Sequence, residues 1–427
     1  MADDDEEQLL REKIASQRAA IANLPSLRSI VVETGFTSPE TKARAQLIKE
    51  LSDNEEQLEL LLESRRVAAV VRLQDELHPP LDSEDCPICL ETIKHVNSLT
   101  VARFSCCGNL VCEQCADERD ANCKKDGFDT LRGKCPLCRE EIRKGDSQKW
   151  RAKVLEHSNR GRGWAQYQIG EWYSNEMVGK KYGFPLDKEK GLHFLKQAAD
   201  QRDSDALLEI AMSFFPPERD ESKHVYYLKE AADLGHPYAQ GMLGDAYKSK
   251  DDKGHLHYIT LAASQGDAAA CFELGRLFLS GECGLSESMI LVKHYYGKNL
   301  KDTEKLTATA ALQISIAFYQ LSCQQYEGVL EIPGHSPIPT CLFWARKATK
   351  EARKATKGEI SVVTNAAINF ISTLENQAKN HCANCRTKVG YSSFMRCARC
   401  LGAWYCGKEC QVQHWKAGHK IDCIKRK

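Results

Sequence analysis

The strings GLHFLKQAADQ (residues 191–201), HVYYLKEAADLG (residues 224–235) and HLHYITLAASQG (residues 255–266) repeat one pattern: an aromatic-bearing helix closing on a pair of small residues. The pairs Ala198-Ala199, Ala231-Ala232 and Ala262-Ala263 stand 33 and 31 residues apart. A second pattern alternates with it: WAQYQIGEWY from Trp164, DALLEIAMSF from Asp205, YAQGMLGDAY from Tyr238 and AACFELGRLF from Ala269. A period in the low thirties with small residues at fixed places is the signature of stacked helix pairs, each burying its apolar face on the next.

The small residues have a physical task. Gly170, Ala211, Gly244 and Gly275 let two helices cross closely, and Tyr or Phe from the second helix fills the space between neighbours. On the frame LG-x2-Y … AA-x2-G, over about 110 residues, this stretch resembles Sel-one-like repeats, relatives of the tetratricopeptide class. The resemblance implies an α-solenoid over residues 160–350. A fifth, degenerate unit (ISIAFY with CLFWARKA) extends it, around a loop carrying Pro333, Pro337 and Pro339. The aromatic residues read as core.

On the N-terminal side, residues 1–80 read as a polar helical segment. Leu47, Leu51, Leu58, Leu61 and Leu62 recur at roughly helical spacing among charges. A helix is expected from Ser38, with Pro39 in its first turn, to Leu77, where His78-Pro79-Pro80 stops it. Its apolar stripe is buried either against the rest of the chain or in a coiled coil that dimerises.

The 427 residues suffice for two to four domains. Lys+Arg and Asp+Glu are 59 each, so the net charge of zero argues against a bulk polyanion binder. The acidic run at residues 3–7 and the basic residues 425–427 read as solvated tails. No 18-residue apolar stretch predicts a membrane span, and the acidic start lacks a secretory pattern. An intracellular, reducing location, cytoplasm or nucleus, is the expectation.

Of the 20 cysteines, nine lie between Cys86 and Cys138 and seven between Cys382 and Cys423. Clustered Cys-x2-Cys pairs in a long chain read as metal sites rather than disulfides. Residues 81–145 contain CPIC, FSCCGNLVCEQC and KCPLC. Four thiolates close the tetrahedral shell of one structural zinc, so eight ligands in four pairs give two sites. This arrangement resembles an all-cysteine RING domain, over about 55 residues. Carried over, Cys86, Cys89, Cys112 and Cys115 hold one zinc ion, and Cys106, Cys107, Cys135 and Cys138 the other. The departure is that Cys106 and Cys107 are adjacent, with Asn109 where the family often has His. Cys123 and His95 could substitute for one of the pair and otherwise read as ordinary loop residues. The resemblance further implies an apolar contact from Ile88 and Pro136 to a ubiquitin-conjugating enzyme. It places Arg139 where a guanidinium bridges that enzyme and ubiquitin. Such a domain has no catalytic residue of its own and acts by positioning.

Residues 351–380 read as a linker helix. Residues 381–427 hold Cys-x2-Cys, eleven residues, Cys-x2-Cys, five residues, Cys-x3-Cys, eight residues, then His-x3-Cys. A four-residue step sets Cys406 with Cys410, and His419 with Cys423, one helical turn apart. Down to WYC-x3-CQ-x2-HW, the segment resembles the MYND finger. By that resemblance Cys382, Cys385, Cys406 and Cys410 bind one zinc ion, and Cys397, Cys400, His419 and Cys423 a second. Gln411 and Trp415 match positions that contact proline-containing peptides, and His414 reads as a surface residue. No cofactor signature of a methyltransferase flanks the finger.

The expected fold is mainly α: a solenoid of helix pairs flanked by two small cross-brace zinc modules, with four zinc ions in all. Two functions follow. One is a RING-type ubiquitin ligase whose repeats and finger recruit protein substrates. The other is a non-catalytic adaptor that binds proline-containing peptides. Nucleic-acid binding is disfavoured, because cross-brace modules lack a groove-reading helix.

Overall fold

A computed structural model describes residues 2–24, 39–79, 84–118, 135–140, 147–214, 220–298, 362–380, 382–383, 395–400 and 402–415, together with 342, 345, 346 and 349. The chain divides into two compact units, Val67–Ala270 and Met1–Arg66 with Cys271–Lys427.

The first unit contains the repeats. After helix α1 (Ala2–Ala22) and helix α2 (Pro39–Leu77) come hairpins β1 (Glu84–Asp85)/β2 (Thr92–Ile93) and β3 (Val101–Arg103)/β4 (Leu110–Cys112). Helices α3 (Ser147–Asn159), α4 (Gly163–Ser174), α5 (Glu176–Tyr182), α6 (Lys188–Ala199), α7 (Ser204–Ser213), α8 (Glu221–Asp233), α9 (Pro237–Tyr247) and α10 (Asp252–Ser264) follow. Helix α4 packs on α6, α7 on α8 and α9 on α10, and successive pairs stack through α6 on α7 and α8 on α9. Helices α6, α7, α8 and α10 each begin with a local signal: the Asp187, Asp203, Asp220 and Asp251 side chains cap them by accepting backbone N–H groups.

Packing within a pair explains the small residues. A Cβ built on Gly170 would lie 2.7 Å from Leu195 Cγ, and one on Gly244 would lie 2.8 Å from Ile259. The carbonyl of the same small position is used a second time. His224 Nδ1 lies 2.8 Å from Ala211 O, and His255 Nδ1 lies 2.8 Å from Gly244 O. In the first pair Gly191 stands at the corresponding place, with Gly170 O and Ser174 Oγ too near for any side chain. The last aromatic of each first helix stacks on an aromatic of its partner: Tyr173 on Phe194 at 6.1 Å, Phe214 on Tyr227 at 6.0 Å and Tyr247 on Tyr258 at 5.8 Å.

The same device recurs in the second unit. Helix α11 (Ala268–Ser280) ends with Phe278, which stacks at 5.9 Å on Tyr295 of α12 (Met289–Lys298). Tyr295 thereby marks a fourth pair, completed by a helix the repeat pattern had not assigned. Helix α1 runs along residues 39–66 of α2, with Arg18 paired to Glu55 at 2.7 Å and Arg65 to Glu7. Leu10 and Ile14 of α1 are buried. Glu63 accepts from Tyr295 Oη and pairs with Arg66. In the other unit, Val70 and Val71 of α2 pack on the core around Leu228 and Leu243. The C-terminal part of α2 thus packs within the chain, through Val70 and Val71. Helix α13 (Val362–Asn380), hairpin β5 (Met395–Arg396)/β6 (Trp404–Tyr405) and helix α14 (Lys408–His414) complete the second unit. The degenerate repeat segment ISIAFY and its proline loop lie outside the described residues. Among the described residues no helix is long and apolar enough to cross a membrane.

Candidate metal centres

The N-terminal cysteine module is built from one turn used three times. Cys86 N–H donates to Glu91 O (2.9 Å) and Leu90 N–H to Cys86 O (2.8 Å). Cys135 N–H donates to Glu140 O (2.8 Å) and Arg139 N–H to Cys135 O (3.0 Å). Phe104 N–H donates to Asn109 O (2.8 Å) and Gly108 N–H to Phe104 O (2.7 Å). The fifth residue of each turn has positive φ: Leu90 at 63°, Arg139 at 65° and Gly108 at 78°. In the first and last turns cysteines occupy positions one and four. In the middle turn they occupy positions three and four, so the adjacent Cys106 and Cys107 fit the same backbone. Asn109 contributes its carbonyl to that turn.

Hairpin β3/β4 then divides the ligands. Its tip carries Cys106 and Cys107, while Cys112 sits at its base opposite Val101. Ile93, Val101, Leu110 and Val111 form a small buried core beside it. The sulfurs of Cys86, Cys89, Cys112 and Cys115 all lie within 4.8 Å of one another, as do those of Cys106, Cys107, Cys135 and Cys138. Individual separations are 3.8 Å for Cys89–Cys112, 4.0 Å for Cys107–Cys135 and 3.5 Å for Cys106–Cys138. Zinc–sulfur bonds of about 2.3 Å in a tetrahedron put sulfurs about 3.8 Å apart, so both groups fit the ion.

Their electrostatics agree with a cation site. Burial pushes the Cys86 thiol up, but N–H groups of Cys112, Cys89 and Ile88 outweigh it and bring it down to about 6. Cys115 is pushed up by its bond to Cys112 and by burial, and Cys106 by burial and then by Cys138 and Cys135. Four sulfurs this close resist ionising together, and a dication removes the conflict.

His95 is no part of either group. It is packed against the solenoid, where a Cβ on Gly235 would lie 2.2 Å from its Nδ1, and burial lowers its pKa. Cys123 lies outside the described residues. Ile88 is 47% exposed, Leu90 77%, Arg139 is exposed and Pro136 half-buried. Within this unit the module is fastened to the repeats: Ser98 donates through N–H and Oγ to Asp205, whose Oδ1 is 3.3 Å from His236 Nε2, and Arg103 lies over the Trp164 ring at 5.6 Å.

At the C-terminal module Cys382, Cys406 and Cys410 gather with sulfurs within 4.8 Å, Cys406 and Cys410 at 3.5 Å. Helix α14 presents Cys410 one turn after Cys406. Cys397 and Cys400 are buried in the turn after β5, while Cys385, His419 and Cys423 lie outside the described residues. Arg346 joins the module to α13, with Nη1 donating to Cys400 O (3.2 Å) and Nη2 to Glu375 (2.7 Å). Trp404 packs on Leu342, Ala345 and Leu374.

His414, read as a surface residue, is 1% exposed, and its Nδ1 lies 2.9 Å from Tyr405 Oη. It shares the inner face of α14 with Cys410, where a buried tyrosine hydroxyl needs a partner. Trp415 is half-buried against Tyr405, Ala403 and the finger's cysteines, and Gln411, one turn earlier, is also half-buried.

Residues 382–423 match the MYND finger family. The C-terminal module is thus a MYND finger, a zinc-binding fold. A 64-residue segment, 15% of the chain, is 31% identical to ubiquitin carboxyl-terminal hydrolase 15 of Arabidopsis thaliana, and it spans 6% of that protein. Among solved structures, a protective antigen of uropathogenic Escherichia coli displaying an SLR fold is similar at 17% identity and a TM-score of 0.39. That likeness covers 54% of this chain and 49% of the antigen. A Sel1 repeat protein from Oxalobacter formigenes is similar at 17% identity and a TM-score of 0.37, covering 50% of this chain and 80% of that one. The stacked helix pairs described above carry the repeat assignment by themselves. A MYND finger and a helical-repeat scaffold in one chain are both modules suited to protein–protein interaction.

Proposed function

We propose that the chain is a ubiquitin ligase without a covalent catalytic residue. Its N-terminal cysteine module works as a RING domain that holds a ubiquitin-conjugating enzyme, while the repeats and the MYND finger recruit protein substrates. Four zinc ions, two per module, brace it. The observation that carries the reading is the alternate pairing of four cysteine pairs into two groups, with Ile88 and Arg139 displayed on the two outer turns. Catalysis of this kind is positional: the conjugating enzyme supplies the thioester, and the module restricts its orientation. Arg139 offers a planar fork of donors that suits two carbonyl acceptors at once.

The test is reconstitution with activating enzyme, ubiquitin and a panel of conjugating enzymes. Chains should form with at least one of them and should fall sharply with Arg139→Ala or Ile88→Ala. No chains with any enzyme in the panel would overturn the ligase reading.

The half-buried pair Gln411 and Trp415, one helical turn apart, supports a second reading. In it the chain is an adaptor that binds proline-containing peptides through the finger, and the N-terminal module is structural. Binding of such a peptide that survives Trp415→Ala would count against it.

A further inference from the structure

A cleft of about 260 Å3 opens between the first turn of α3 and the last turn of α5, lined by Gln148, Arg151, Lys180, Lys181, Tyr182 and Gly183. Among these six described residues three are cations and none is an acid. The Arg151 guanidinium lies 4.9 Å over the Phe184 ring, and its Nε is sealed from solvent without a hydrogen-bond acceptor among the described residues. A guanidinium N–H left in this state costs free energy. Lys181 Nζ lies 5.1 Å over the Tyr182 ring. Lys180 pairs with Glu176 at 2.7 Å, but both side chains are largely exposed, so this link is weak and exchangeable.

The cations stand on a rigid mount. Asn175 Oδ1 accepts from Met177 and Val178 N–H at the start of α5. A Cβ on Gly179 would lie 2.2 Å from Trp172 O, so α5 is pressed directly against α4. Gly183, at φ 73°, ends the helix, and Phe184 N–H returns to Gly179 O at 2.9 Å. Tyr182 is wedged between Trp150 and Trp172, with ring centroids at 4.9 and 4.6 Å. Lys180 and Lys181 thus belong to a short helix whose backbone is fixed at both ends.

We propose that this cleft binds a phosphate monoester, of the kind a phosphorylated serine or threonine of a protein partner presents. A dianion with three acceptor oxygens matches one planar fork and two point charges, and charge-assisted bonds to Arg are the strong ones. The volume accommodates a phosphate and its linking side chain.

The experiment follows 31P line broadening of O-phosphoserine and of inorganic phosphate on titrating the full chain, with phosphorus-free serine binding followed by calorimetry. The expected result is that both phosphates bind and serine does not. Arg151→Gln should weaken binding at least about tenfold, and so should Lys180→Gln with Lys181→Gln, whose positions are exposed and leave the helical circular dichroism and melting temperature unchanged. Absence of binding, or equal binding by the lysine double variant, overturns the proposal. Attachment to phosphatidylcholine vesicles containing phosphatidic acid, with no binding of O-phosphoserine, overturns it in favour of a lipid surface.

Discussion

The Gly108 amide donates to the Phe104 carbonyl at 2.7 Å, closing a turn whose counterparts run from Cys86 to Glu91 and from Cys135 to Glu140. That bond is how two adjacent cysteines are presented from a hairpin tip. It requires Gly108 at φ 78°, a conformation that costs other residues roughly 1–2 kcal/mol. A Cβ there would also stand 3.1 Å from His157.

Gly108→Val should therefore destabilise the unit by about 2 kcal/mol or more and speed loss of metal to a chelator. Thermal melts and a colorimetric zinc-release assay measure both. An unchanged release rate would mean that the turn does not organise Cys106 and Cys107.

Helix crossings give a second prediction with its own control. Gly170→Val and Gly244→Val drive a side chain into Leu195 and Ile259, and each should cost about 2–4 kcal/mol. Gly241 lies on α9 with nothing nearer than 3.9 Å to a Cβ, so Gly241→Ala should be neutral or stabilise by up to about 1 kcal/mol. Chemical denaturation of the three variants decides it, and equal effects at all three positions would refute close crossing.

The third prediction concerns pH. Burial, then the neighbouring Asp205, pushes Asp203 up from 3.8 to about 6, with the Ala206 N–H, Arg103 and His236 opposing. A carboxyl raised on folding stabilises the protonated folded form. Its contribution is present below pH 4 and is lost as pH rises through 6. Asp203→Asn keeps an acceptor for Ala206 N–H, so it should flatten stability between pH 4 and 7 by on the order of 1–3 kcal/mol. Melting temperatures across that range test it; identical pH profiles for both chains would contradict it.

Much of this architecture is readable from the chain. The final aromatics of the strings ending at Tyr173, Phe214, Tyr247 and Phe278 are the residues that stack across each pair, because every repeat must fill the same gap. The helix expected from Ser38 to Leu77 spans Pro39–Leu77, since a proline start and a His-Pro-Pro stop are local signals. The second helix of the fourth pair carries no mark of the small-residue pattern in the sequence: only Tyr295 retains the repeat. Two features of the candidate sites were not legible for a different reason. His414 hides behind Tyr405, and His95 fits against Gly235. Both depend on which distant residue faces them, and spacing carries no such information.

The most direct measurement is native mass spectrometry of the intact folded chain, with Cys86→Ser and Cys135→Ser variants alongside. Four zinc ions are expected in the parent chain, with each substitution emptying or weakening one site of the N-terminal module and leaving the finger's two ions in place. A folded chain that carries no zinc, or one whose zinc content ignores both substitutions, would contradict it.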